Sequence, residues 1–120
     1  MTDFQQQERR EINEGIEVTY RELSAITAGI RTHFQVGRGV IFDLFEKMHF
    51  YTAVLVELTE SLEQMEQSQD IIRRLNEWLD LPPVSDRDIK DRCAIGLKLI
   101  KEYKTALIRS GLITLPSKGR

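Results

Sequence analysis

Arg92-Cys93-Ala94-Ile95-Gly96-Leu97-Lys98-Leu99-Ile100-Lys101-Glu102-Tyr103-Lys104 admits two folds. As one amphipathic helix it puts Ile89, Cys93, Gly96, Leu97, Ile100, Tyr103 and Leu107 on a shared face. That reading leaves Gly96 in a helix interior, at about 1 kcal/mol against alanine, and strands Ile95 and Leu99 on the far side. As two helices joined at Ala94-Ile95-Gly96, the same stretch makes Ile95 the plug of a turn and Gly96 the N-cap of a second helix. The first reading continues a helical bundle. The second makes the C-terminal third a nucleic-acid reader.

The flanks frame the choice. Leu81-Pro82-Pro83-Val84 is a boundary, because proline lacks an amide donor and biases the residue before it away from helix. It divides the chain into residues 1–80 and 84–120. Ser85 is expected to N-cap the next helix, with Asp88 three positions later. Downstream, Ser110-Gly111 suits a helix C-cap, Leu112-Ile113-Thr114-Leu115 a short strand, and Pro116–Arg120 a basic turn. Charge divides at the same place. Residues 1–84 carry 8 Lys/Arg against 15 Asp/Glu, and residues 85–120 carry 9 against 4. A basic segment on an otherwise acidic chain suits an anionic partner, or the acidic part of its own fold.

Ser85, Arg87, Ile89, Cys93, Ala94, Ile95, Gly96, Ile100, Leu107, Gly111, Leu112 and Ile113 fall without a gap on the pattern of a known superfamily. Residues 84–114 resemble the winged helix-turn-helix of bacterial transcription regulators, particularly the GntR type. The resemblance implies a DNA-binding domain whose second helix enters the major groove. Lys98, Lys101 and Thr105 would then face base edges or phosphates, with Arg87, Lys90, Arg109, Lys118 and Arg120 on the backbone. Two half-sites would require a dimer.

Residues 1–80 supply the candidate dimerisation region. Ile12, Ile16, Tyr20, Leu23, Ile26, Ile30 and Phe34 make one stripe over a helix at 4–34, and the glycines of 35–39 turn the chain. From Val40 a near-heptad seam follows: Ile41, Leu44, Met48, Tyr51, Leu55, Leu58, Leu62 and Met65. Unbroken to residue 80, that helix would be roughly 60 Å long. It must break near Ser68 or be shared by two chains, and an antiparallel hairpin that forms a homodimer along the seam is expected. Val40, Phe42, Phe50, Val54 and Val56 add surplus apolar positions, which suggest a second buried face.

The fold class expected is therefore mainly α: a long helical hairpin followed by a small winged helix-turn-helix. The N-terminus has no apolar signal-type core, no stretch is long and apolar enough to span a membrane, and Cys93 is a lone cysteine. A cytoplasmic protein is expected, with no membrane partner. Glu46-x-x-His49 has the ligand spacing of di-iron bundles but no second copy, and His33 has no companion ligands. Gly37-Arg38-Gly39 follows a helix rather than a strand and reads as a turn. Neither a catalytic set nor a cofactor or metal site emerges. Two classes of function stay open: a dimeric regulator bound to double-stranded DNA, and a non-enzymatic helical adaptor, chaperone or inhibitor. The second acts by protein contacts and requires residues 86–110 to form one continuous helix.

Overall fold

The computed structural model describes residues 3–33 and 38–114, with side chains at 6–32 and 40–114. The described residues form four α-helices and no strand: α1 (Asp3–His33), α2 (Arg38–Thr59), α3 (Gln69–Leu79) and α4 (Ile89–Arg109), with a 3-10 segment at Glu63–Ser68 between α2 and α3. The mainly α expectation holds. At about 1.5 Å per residue, α1 is ~46 Å long. It sets the longest of the molecule's 52 × 37 × 23 Å dimensions.

Helix α2 is the centre. On one side it pairs antiparallel with α1, whose buried stripe is Ile16, Leu23, Ile26, Thr27 and Ile30, with Ile12 and Tyr20 half-buried beside it. The Thr27 hydroxyl donates to the Ser24 carbonyl at 2.9 Å, so its burial leaves no orphan donor. The register shows at two glycines: a Cβ on Gly15 would lie 3.6 Å from Leu58 and one on Gly29 3.7 Å from Leu44. Phe34 lies outside the described residues.

The seam expected to join two chains is therefore largely used within one. Ile41, Met48, Leu55 and Met65 are buried in the protomer, while Leu44, Tyr51, Leu58 and Leu62 are half-buried against its core. A second copy could reach them only by displacing α1 or opening the core. The periodicity was real, but its partners are helices of the same chain.

The break in the 40–80 stretch falls at Glu60–Leu62, where the chain passes into the 3-10 segment. No proline or glycine marks it. The Gln69 side-chain amide donates to the carbonyls of Glu60 at 3.1 Å and Met65 at 3.0 Å, satisfying acceptors that a continuing helix would have used. Met65, fully buried, anchors the corner.

Helix α4 overturns the two-helix reading. It runs without interruption from Ile89 to Arg109, through Ala94, Ile95 and Gly96. Ile95 is 53% exposed rather than a buried plug, and Gly96 is buried in mid-helix. The reason is Trp78 of α3. A Cβ on Gly96 would come within 2.5 Å of the indole and 3.1 Å of the Met48 methyl. The glycine lets the α4 backbone lie directly on the ring. Trp78 is held there by a hydrogen bond from Nε1 to the Arg92 carbonyl, 3.1 Å, and by the edge of Phe45 at a centroid distance of 5.8 Å. Leu99, stranded in the one-helix reading, is buried at the edge of the contact face.

The ends of α4 also differ from expectation. Asp88, not Ser85, is the N-cap residue; Ser85 sits a turn earlier, its hydroxyl donating to the Asp88 carboxylate at 3.0 Å. At the C-terminus Ser110-Gly111 does cap. Gly111 has φ +77°, its N–H donates to Ile108 O, and the Leu112 N–H donates to Leu107 O, both 3.0 Å, which is a Schellman arrangement. Residues 112–114 form no strand, and Leu115 and the basic turn lie outside the described residues.

Candidate functional site: the outer face of α4

Burial of Ile89, Cys93, Gly96, Leu97, Ile100, Tyr103 and Leu107 fixes which side of α4 meets the core. The opposite side follows from helical period alone. Lys90, Ala94, Lys98, Lys101, Thr105 and Arg109 occupy a sector of about 100°, and all six are exposed; the exposed Asp91 lies at the edge of the same sector, in line with Arg109. The sequence-predicted cations of this helix are thus brought together as one stripe ~29 Å long. Arg87 is exposed just ahead of the helix, whereas Lys118 and Arg120 lie outside the described residues. The Thr105 hydroxyl turns onto its own helix, donating to Lys101 O at 3.3 Å.

Acidic groups border the stripe without neutralising it. Arg74 of α3 forks onto Glu102, with Nη2–Oε1 2.7 Å and Nη1–Oε2 3.2 Å, and its Nε also reaches Asp70 at 3.1 Å. Arg74 holds the Glu102 carboxyl below its ordinary range, with a smaller contribution from Lys98. Asp70 is likewise held low, chiefly by its hydrogen bond from Arg73. Among the described residues, the ion pairs are Asp43–Lys47, Asp70–Arg73, Arg73–Glu77, Asp70–Arg74 and Arg74–Glu102. None involves Lys90, Lys98, Lys101 or Arg109. With four cations against Asp91, the stripe is net positive on a chain of net charge −2.

The reactive side chains are engaged elsewhere. The Cys93 thiol is buried, and desolvation pushes it up to about 11, so it is neutral near pH 7. Burial also raises Tyr103; its hydroxyl donates to Thr59 Oγ1, which donates in turn to Leu55 O at 2.9 Å. His49 Nε2 lies 2.9 Å from Leu79 O, and since a carbonyl only accepts, that nitrogen carries the proton. The Glu46-x-x-His49 spacing is thus a packing feature: the imidazole pins the end of α3 and stands 5.6 Å from the Trp78 ring. Among the described residues, no group of three or more His, Cys, Asp or Glu could hold a metal ion. Among the described residues, no helix is long and apolar enough to cross a membrane.

Sequence reasoning missed the joint formed by Met48, Trp78 and Gly96, which makes the stripe one straight surface. The available signal was a glycine on the apolar side of a helical wheel, downstream of the chain's lone tryptophan. Set against models of protein families, curated proteins and solved structures, the chain matches none of them.

Proposed function

We propose that this chain is a non-enzymatic, cytoplasmic helical adaptor, and that the outer face of α4 receives an acidic segment of another protein. The observation that carries this reading is the unbroken course of α4 through Ala94–Gly96. A helix-turn-helix inserts a short second helix, free of the first, into the major groove. Here the same residues belong to one helix clamped along its length by α2 and α3. Its exposed side sets cations around the small Ala94, with Asp91 and the exposed Ile95 at its edge. That mixture suits an amphipathic acidic helix laid along it.

The co-alignment of Lys90, Lys98, Lys101, Thr105 and Arg109 favours a second reading, a DNA-binding regulator of the type the sequence resembles. It would act by phosphate contacts along an intact helix. In either reading a homodimer is the proposed assembly, with its interface away from the α1–α2 seam. Titration of labelled DNA duplexes at low and physiological salt separates the two. The adaptor reading expects weak, sequence-independent binding that disappears by physiological salt. Sequence-dependent binding abolished by Lys98→Ala with Lys101→Ala would overturn it and establish the second.

A further inference from the structure

Asp43, Lys47, Phe50, Val54 and Glu57 lie on the side of α2 turned away from both α1 and the α3–α4 pair, at spacings of four, three, four and three. These residues make a second stripe at heptad spacing on one helix, exposed at Asp43, Lys47, Phe50 and Glu57 and half-buried at Val54. Phe50 is 61% exposed, the most exposed large hydrophobic residue among those described, and Tyr51 packs edge-on against it at 5.3 Å. Tyr51 therefore fixes the Phe50 ring as a preformed knob. The chemistry of the stripe is self-complementary in one register.

We propose that two copies of this chain associate antiparallel through this outer face of α2, with the two-fold axis between Phe50 and Val54, at the level of Thr52 along the helix. In antiparallel coiled coils the alternating core positions meet in mixed layers. Placing the axis at that level sets Phe50 against Val54 of the partner subunit and Lys47 against Glu57 of the partner subunit. The axis repeats each pairing, as an isologous interface requires. Lys47 also pairs with Asp43 of its own helix at 3.4 Å, so Glu57 of the partner subunit shares that cation; a shift by one heptad sets Lys47 against Phe50 of the partner subunit and removes the cross-pairing, so charge favours the first register. On the flank, Glu46 approaches Glu60 of the partner subunit, a repulsion that keeps the association moderate. A single face ~21 Å long covers less than the ~800 Å² per partner of standard interfaces. A weak, concentration-dependent association is expected.

This inference deepens the dimer part of the proposed function and is indifferent to whether α4 receives protein or DNA, since no α4 residue takes part. Light scattering of the full chain across a concentration series reads it directly. A mass approaching twice 14.0 kDa is expected as concentration rises. Phe50→Glu should return a monomer, with the helical circular dichroism signal unchanged because the position is exposed. Lys47→Glu and Glu57→Lys should each weaken association by roughly tenfold, and the two together in one chain should restore it. Mixed Phe50→Cys and Val54→Cys chains should cross-link, whereas each variant alone should not. A monomer at every concentration, a dimer untouched by Phe50→Glu, or a double swap that fails to restore association would overturn the proposal. DNA titration of the Phe50→Glu monomer reports on the α4 face separately, so failure of either idea is visible by itself.

Discussion

Helices α1 and α4 both carry glycine where helix propensity favours alanine, and they differ in what fills the space of the missing Cβ. At Gly15 and Gly29 of α1 that space ends on leucine methyls of α2 at ordinary van der Waals distance. At Gly96 of α4 it is already occupied by the Trp78 indole. The α1–α2 hairpin is a seam of interchangeable aliphatic layers. The α3–α4 crossing is a single keyed joint, in which one large ring and one absent side chain define each other. A helix glycine is a packing device only where a neighbour has entered its place; otherwise it is a propensity loss of about 1 kcal/mol.

The joint breaks most severely at the ring. Trp78→Ala removes a nearly buried indole that touches Phe45, His49 and the α4 backbone and whose N–H bonds Arg92 O. Destabilisation of about 3–5 kcal/mol is expected in urea titration, since the groove over Gly96 cannot close from the α4 side. Gly96→Ala comes next, at about 1–3 kcal/mol destabilising, because its methyl meets a ring that is pinned on three sides. The pair should be strongly non-additive. In the Trp78→Ala background the clash is gone, so Gly96→Ala should become neutral or slightly stabilising. Equal costs in both backgrounds would contradict the keyed joint.

The same contrast explains what could be read from sequence. The stripe of α1 and the helix break at Leu81-Pro82-Pro83 are local signals, and both stand in the structure, although residues on either side of the break share one hydrophobic core. The heptad seam on α2 was legible as a pattern, but a pattern does not name its partner, and α1 of the same chain takes most of it. Gly96 was ambiguous because an N-cap and a close helix crossing ask for the same residue. Only the position of Trp78, which is 18 residues distant in sequence, decides between them. The basic stripe survived the change of fold: Lys98, Lys101 and Thr105 keep a common face in either reading because the helical period is the same.

Gly111 offers a third kind of glycine, with no neighbour at its Cβ position and a φ of +77°. Gly111→Ala carries conformational strain alone, and a loss of about 1 kcal/mol is expected. The loss should leave the Trp78 fluorescence environment unchanged, which separates it from Gly96→Ala.

The smallest effects should have the opposite sign. Gly15→Ala and Gly29→Ala place a methyl 3.6 Å and 3.7 Å from leucine carbons, in helical backbone, with no steric debt to a rigid neighbour. Each reduces the freedom of the unfolded chain and fills a little of the seam, so each should stabilise by about 0.5–1 kcal/mol. The two sites lie about 21 Å apart along α1, so their effects should add. The urea midpoint of the double variant should therefore rise by the sum of the two single shifts at constant slope. If either substitution destabilised, α1 and α2 would approach more closely than an aliphatic seam allows, and the distinction between hairpin and joint would collapse into one kind of packing.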